Sequence, residues 1–216
     1  MCARYSLRPV MPRLLEWFDL DPETEFEAQP VVAPTNVVPV VLARADGTRG
    51  VRRFRWGLLG PGESGGTGHI NARSETVFEK PSFRESAQRR RCLMPATAFF
   101  EWGGEGKARR PYRFEWSDGA PLAFAAIWSP PAAVELPATC CLLTTDPNAL
   151  VARIHDRMPV ILDRDACAIW LDPDAPRPLL EAVCRAADPE RMAMAEATRE
   201  ETLPPRGGPD VQGSLF

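Results

Sequence analysis

The segment 36-NVVPVVLARADGTRGVRRFRWGLL-59 decides the fold. After Asn36 its next seven residues are apolar and rich in valine, which favours a β-strand. Pro39 indicates an edge position because proline donates no ladder hydrogen bond. Turn-forming residues occupy 44–50, and apolar residues then alternate with arginines. The apolar face of this second strand consists of Val51, Phe54, Trp56 and Leu58. The pattern predicts a β-hairpin with one buried face.

Elements outside this hairpin are short, as expected for a chain with 23 prolines in 216 residues. The predicted elements are strands at 91–102, 138–145 and 158–162, a second hairpin at 111–128 around Asp118-Gly119, and helices at 11–18, 163–171 and 176–187. Asp163 is the predicted N-cap of its helix. Strands dominate the middle of the chain. We therefore predict a single α+β domain whose curved, barrel-like, mainly antiparallel β-sheet is flanked by short helices.

The C-terminal part of the chain differs in composition from the rest. The stretch 203-LPPRGGPDVQGSLF-216 is rich in proline and glycine and can bury little apolar surface. We therefore expect a folded domain at 1–190 and a largely disordered extension at 191–216. The extension nevertheless ends in two large apolar residues, Leu215 and Phe216.

Composition excludes several protein classes. The chain is 44% hydrophobic and 25% charged, and no apolar run approaches the roughly 18 residues of a membrane span. No signal-peptide core is present near the N-terminus, so we expect a cytoplasmic protein. The six cysteines form no C-x-x-C pair and the two histidines are far apart, so we predict neither a metal site nor a cofactor.

Arginine carries nearly all of the positive charge, although the net charge is −3. Arginines cluster at 49–55, 89–91 and 109–113. A basic face could hold phosphates, since the guanidinium fork suits them, and solvated surface charge is an equally good interpretation.

The N-terminal stretch 1-MCARY-5 places a cysteine directly after the initiator methionine. Removal of Met1 would leave Cys2 with a free α-amine and a thiol on adjacent carbons. Taken alone, Cys2 is also consistent with a small apolar residue near a frayed terminus.

Four stretches together resemble the SOS response-associated peptidase (SRAP) family: MCARY at the start, 69-HINARSET-76, 99-FFEW-102 and 154-IHDRMPVIL-162. The resemblance implies a barrel-like sheet with flanking helices and covalent capture of abasic sites in single-stranded DNA. It also implies that Met1 is removed autocatalytically. The 1,2-aminothiol of Cys2 would react with the open-chain sugar aldehyde to form an imine and then a thiazolidine ring, which protects the lesion during repair or replication.

The resemblance supplies helpers for this reaction and contacts to DNA. Asn71 corresponds to the residue that holds the amine and the sugar. Glu101 lies in an apolar run that should raise its pKa and suit it to acid–base work, and His155 corresponds to the proton-transfer residue. The predicted phosphate ligands are Arg4, Arg73 and Arg157, and the predicted base-stacking residues are Trp56 and Trp102. For Trp56, core packing is an equally good interpretation.

The chain departs from the family pattern at a few positions. Val31 stands where asparagine is usual, Ala3 stands where glycine is usual, and a Pro-x-Trp element after the Trp-Gly segment is missing. These departures concern the DNA groove, and the four catalytic positions are retained.

The C-terminal tail predicts a further partner, and two other functions are alternatives to covalent capture of abasic sites. The last residues resemble peptides that bind the bacterial sliding clamp, with Gln212, Ser214, Leu215 and Phe216 as the contacts, so we expect a nucleoid-associated protein. One rival function is an N-terminal-nucleophile cysteine hydrolase or peptidase in which His155 assists Cys2. The other is a noncatalytic, clamp-tethered DNA-binding module.

Overall fold

The computed structural model describes residues 2–8, 11–25, 27–60, 63, 65–104, 106, 109–131 and 136–203. These residues form two β-sheets with four α-helices around them, which confirms the predicted α+β class. The strands are β1 Tyr5–Leu7, β2 Gln29–Val32, β3 Val37–Ala43, β4 Arg49–Trp56, β5 Asn71–Arg73, β6 Arg91–Ala96, β7 Ala98–Gly103, β8 Arg110–Trp116, β9 Leu122–Ser129, β10 Thr139–Thr145, β11 Met158–Pro159, β12 Ile161–Leu162 and β13 Met192–Glu196. The helices are α1 Met11–Phe18, α2 Pro81–Arg89, α3 Arg164–Leu171 and α4 Arg177–Val183.

The larger sheet has eight strands and curves into a ring. Its order is β11-β10-β4-β3-β6-β9-β12, and β5 pairs with β10. A further pairing between β10 and β9 closes a ring of five strands. β10 runs parallel to β4 and β5, and the other neighbours in the sheet are antiparallel. The prediction of a curved, mainly antiparallel sheet is confirmed.

The hairpin predicted at 36–59 is confirmed as β3 and β4, with Val38 opposite Phe54. The edge position predicted from Pro39 is wrong, because β3 lies between β4 and β6. β6 pairs with β3 through Leu93 and Val41, two residues past Pro39. The proline is therefore tolerated because it stands outside that ladder.

The smaller sheet has the order β13-β8-β7-β1-β2, and all its pairs are antiparallel. It corrects two predictions. The strand predicted at 91–102 divides at Thr97 into β6 and β7, which belong to different sheets. The hairpin predicted at 111–128 is also absent, because β8 and β9 lie in different sheets. Two consecutive strands show the same alternation of apolar and polar residues whether they pair with each other or lie in two sheets that share a core. The local sequence pattern therefore does not distinguish the two arrangements.

The core lies between the two sheets, and the N-terminal strand β1 is enclosed in it. The Tyr5 ring lies 5.4 Å from the Trp56 ring and 5.7 Å from the Phe124 ring, both on the larger sheet. On the smaller sheet, Phe99 and Phe114 stack with their ring centroids 4.9 Å apart. This packing holds the N-terminus firmly against the fold.

The helices cover the outside of the sheets. Asp163 caps α3 as predicted, since its side chain accepts a hydrogen bond from the Ala166 amide at 2.9 Å. α2 was not predicted, and it buries Phe83 and Ala87 on one face. No helix in the described part of the chain is both long and apolar enough to cross a lipid bilayer.

The strand β13, Met192–Glu196, lies beyond the domain boundary predicted at residue 190. β13 adds to the edge of the smaller sheet, where Met192 lies opposite Trp116 and Glu196 opposite Tyr112. Pairing with β8 gives β13 backbone hydrogen bonds along one side, which hold the strand although two of its five residues are alanines. Residues 204–216, which include the predicted clamp-binding peptide, lie outside the described residues.

Candidate functional site

Cys2 lies three residues before the first residue of β1 and is fully buried. β1 pairs with β7 with Tyr5 opposite Phe99, and the Phe100 amide donates to the Arg4 carbonyl at 3.0 Å. Continuation of this register brings the start of the chain alongside Glu101. Burial, with a further contribution from the negative charge of Glu101, raises the pKa of the Cys2 thiol well above its usual value. The thiol therefore needs a neighbouring base before it can act as a nucleophile.

Asn71 approaches Cys2 from the other sheet. It begins β5, where it lies opposite Leu142 of β10. Its side-chain amide donates to the Cys2 carbonyl oxygen at 2.9 Å. Its Oδ1 is buried and has no hydrogen-bond donor among the described residues. Asn71 thus holds the N-terminal residue and presents an acceptor beside it.

Glu101 is 2% exposed and lies on β7 within the Phe99–Trp102 run. Burial raises its pKa to about 7. This direction agrees with the expectation from its apolar neighbours in the sequence. Near neutral pH the side chain therefore exists both as acid and as carboxylate, as a general acid–base group requires.

His155 lies in the loop that precedes β11, and its Nε2 is 3.9 Å from Glu101 Oε2. The Arg157 amide donates to His155 Nδ1 at 3.0 Å, and an Asp156 carboxylate oxygen is also 3.0 Å from Nδ1. The Arg157 carbonyl oxygen lies 3.2 Å from the same nitrogen. The amide contact needs an unprotonated Nδ1, whereas the two oxygen contacts suit a protonated Nδ1. Burial lowers the pKa of His155, and the Asp156 side chain is 90% exposed, so water weakens its effect. The neutral form of the ring is therefore favoured.

The four predicted catalytic residues therefore meet at one place, although they come from four separate segments of the chain. Arg109 is a further member of this site that sequence reasoning missed. Its positive charge helps to lower the pKa of both Glu101 and His155, although burial outweighs this effect on Glu101. The sequence offered one signal, its place in the arginine cluster at 109–113.

The predicted DNA contacts separate into two groups. Arg73 is exposed, and Arg4 and Trp102 are half-buried, so all three remain candidates for DNA contacts. Trp56 is fully buried, and its indole nitrogen donates to the Ile70 carbonyl at 2.8 Å. The predicted stacking role of Trp56 is wrong, because an enclosed indole has no face for a base.

Replacing Trp56 with phenylalanine tests this assignment to the core. The smaller ring leaves a void and removes the donor from the buried Ile70 carbonyl, so we expect the free energy of unfolding to fall by about 2–3 kcal/mol. Urea denaturation measures this loss. DNA affinity at a temperature where the variant is folded should not change, and a selective loss of DNA affinity would contradict the assignment.

Arg157 does not have the free guanidinium that phosphate binding requires. Its side chain is 12% exposed, and its two terminal nitrogens donate to Glu75, to Asp146 and to the Thr144 carbonyl. The role predicted for it as a phosphate ligand is therefore corrected, since a phosphate would have to displace these partners.

Many arginines of the predicted basic clusters also have partners. Four of them form ion pairs: Arg53 with Glu27, Arg90 with Glu85, Arg110 with Glu196, and Arg113 with Glu201. Ion pairs at or near the surface add little stability, but they reduce the positive charge available to DNA. At these positions the interpretation as surface charge is the better one.

Comparison with solved structures supports the fold. A protein of Bordetella bronchiseptica matches with a TM-score of 0.79 and 26% identity over 91% of this chain and 100% of its own. A protein of Bacteroides thetaiotaomicron matches with a TM-score of 0.74 and 23% identity over 92% of this chain and 93% of its own.

Comparison with curated sequences identifies the family. The abasic site processing protein YoaM of Bacillus subtilis is 37% identical over 183 residues, which are 80% of each chain. The abasic site processing protein YoqW of the same organism is 33% identical over 222 residues, 98% of each chain. The family model for SOS response associated peptidase (SRAP) matches residues 1–200. The chain therefore belongs to the SRAP family.

Proposed function

We propose that the protein processes abasic sites in single-stranded DNA by capturing them covalently through Cys2. The observation that carries this proposal is the convergence of Cys2, Asn71, Glu101 and His155 at the start of β1. The names of the relatives, abasic site processing proteins, support the same substrate. No internal cysteine can perform this chemistry, since its nitrogen belongs to a peptide bond.

The reaction proceeds in two steps once Met1 is removed. The Cys2 amine adds to the aldehyde carbon of the ring-opened sugar, and loss of water gives an imine. The thiol sulfur then adds to the imine carbon, which closes a five-membered thiazolidine, and the thiol proton passes by way of Glu101 to the nitrogen. Asn71 fixes the Cys2 carbonyl, so the amine and the thiol stay directed at one carbon.

Glu101 and His155 move the protons. The thiol has a raised pKa, and the adjacent Glu101 carboxylate is the base that removes its proton. The protonated form of Glu101 donates to the sugar oxygen as the hemiacetal ring opens or to the departing water. His155 Nε2 faces Glu101 and exchanges protons with it through the 3.9 Å gap as the substrate enters. Because Glu101 and His155 can pass a proton between them, the site can both donate and accept protons during the reaction.

Arg4, Arg73 and Trp102 are our proposed DNA contacts, with the two arginines on phosphates and the indole against a base. Replacing Arg73 with glutamine should weaken binding of a stable abasic analogue and reduce the slope of log K against log salt by about 0.7, the effect of one phosphate contact on a single strand. Fluorescence anisotropy at several salt concentrations measures this slope. The matched control is Arg52→Gln, an exposed arginine on β4, and equal slopes for both variants would contradict the assignment.

We also propose that the site removes Met1 itself, which would account for the peptidase in the family description. Glu101 is close enough to Cys2 to serve the same base function in that reaction. Protein made by translation in vitro without aminopeptidase should lose Met1 by intact mass, and Glu101→Ala should retain it. Retention of Met1 in both would assign the removal to another enzyme.

The tail residues Gln212, Ser214, Leu215 and Phe216 are our proposed contacts to the sliding clamp, which would place the protein at the nucleoid. A pull-down with purified clamp tests this proposal. Loss of Leu215 and Phe216 should abolish capture, and undiminished capture would refute it.

One denaturing gel with abasic single-stranded DNA separates the proposed function from its rivals. Covalent capture predicts a slow-migrating adduct that requires Cys2. A cysteine hydrolase predicts turnover of an amide without an adduct. A noncatalytic module predicts binding that is sensitive to salt and indifferent to Cys2→Ala.

A further inference from the structure

Arg157 joins three segments of the chain that surround the site. Its Nη1 and Nη2 donate to the two carboxylate oxygens of Glu75, each at 2.8 Å. Nη1 also donates to Asp146 at 2.6 Å, and Nη2 donates to the Thr144 carbonyl at 2.7 Å. A two-pronged contact of this kind fixes direction as well as distance, because the fork and the carboxylate are both planar.

Each of the joined segments carries or supports a site residue. Glu75 lies in the short turn Ser74–Thr76 that directly follows β5, the strand that begins with Asn71. Thr144 belongs to β10, which pairs with β5. The backbone amide of Arg157 donates to His155 Nδ1 at 3.0 Å. A guanidinium held by Glu75 thus fixes the backbone that orients the His155 ring.

We propose that the Glu75–Arg157 ion pair is a positioning device, which sets the orientation of His155 and its place relative to Asn71. Its effect on crosslinking rests on the proposed function, whereas its effect on the His155 ring does not. Neither residue touches the reacting atoms in this role.

The charges around the ion pair and the ring agree with this role. Partial burial works to raise the pKa of Glu75, but hydrogen bonding from Arg157 holds it below its usual value, so the pair stays ionised at neutral pH. The charged and titratable groups that act on the His155 ring are the N-terminal amine, Glu101, Asp156 and Arg109. Loosening the pair would let the loop open and expose the ring to water, which would relieve the burial that lowers the pKa of His155.

The test uses Glu75→Gln and Arg157→Lys, with Glu79→Gln as the matched control. Glu79 forms an exposed ion pair with Arg177 at 3.3 Å. The protein has two histidines, so NMR titration follows His155 directly with His69 as internal reference. We expect both test variants to raise the His155 titration midpoint and to change the ratio of its two ring tautomers, with His69 unchanged and the control like wild type. In both test variants, crosslinking should slow about tenfold while the affinity for a stable abasic analogue stays at the wild-type value.

Two results would overturn the proposal. The first is an unchanged His155 titration and tautomer in both folded test variants, whatever their crosslinking rates. The second is weaker DNA binding with a reduced salt slope in Arg157→Lys together with tighter binding in Glu75→Gln, which would make Arg157 a phosphate ligand that Glu75 restrains. If wild-type protein forms no crosslink, the proposed function fails, and the NMR result still decides on the ion pair.

Discussion

Replacing Cys2 with alanine is expected to abolish the stable adduct with abasic single-stranded DNA. The variant keeps an α-amine, so an imine still forms, but without sulfur no ring closes and water reverses the reaction. Borohydride should therefore trap a DNA–protein species from Cys2→Ala that is absent without the reductant. A denaturing gel with intact-mass analysis measures both forms.

The control for this prediction is Cys184→Ala, since Cys184 is the one half-buried thiol among the described cysteines while the others are buried. It should form the adduct at the wild-type rate. An adduct that survives Cys2→Ala, or wild-type protein that crosslinks with Met1 still attached, would contradict the thiazolidine mechanism.

Replacing Glu101 with glutamine is expected to slow crosslinking by about 100-fold or more, the usual contribution of a general acid–base group. The pKa of Glu101 is raised to about 7, so the carboxylate that accepts the thiol proton becomes populated as the pH rises through 7. The wild-type rate should therefore increase across this range. Glu101→Gln should lose the part of the pH dependence that centres on 7, as single-turnover kinetics from pH 5.5 to 8.5 would measure.

Although Glu101→Gln should slow crosslinking, it should make the folded protein more stable at high pH. Because the folded pKa of Glu101 lies above its unfolded value, the carboxyl group binds more protons in the folded state, and stability is lost as the pH rises through about 7. Glu101→Gln removes this cost, so the free energy of unfolding at pH 8 should rise by up to about 3 kcal/mol. Equal stabilities of the two proteins at pH 8 would contradict the burial assigned to Glu101. An unchanged crosslinking rate would contradict its assigned role as acid and base.

Local patterns predicted individual strands better than their partners. The β3–β4 hairpin was predictable because a tight turn joins two strands that pair with each other. The segments 91–102 and 111–128 show the same alternation, yet each contributes to both sheets. Helix α3 was predictable from its cap, whereas β13 gives little strand signal because three of its five residues are alanine or glutamate, which are depleted in strands.

The sequence by itself determined the reacting groups, since only an N-terminal cysteine combines an amine and a thiol, and it determined which side chains could assist them. Tertiary structure alone decided which of the candidate side chains are available for catalysis or for contact with DNA. It buried Trp56 in the core, paired Arg157 with acids from distant segments, and brought Arg109 to the site. The physical reason is that burial and charge pairing depend on which distant segments pack together, and spacing along the chain does not specify that packing.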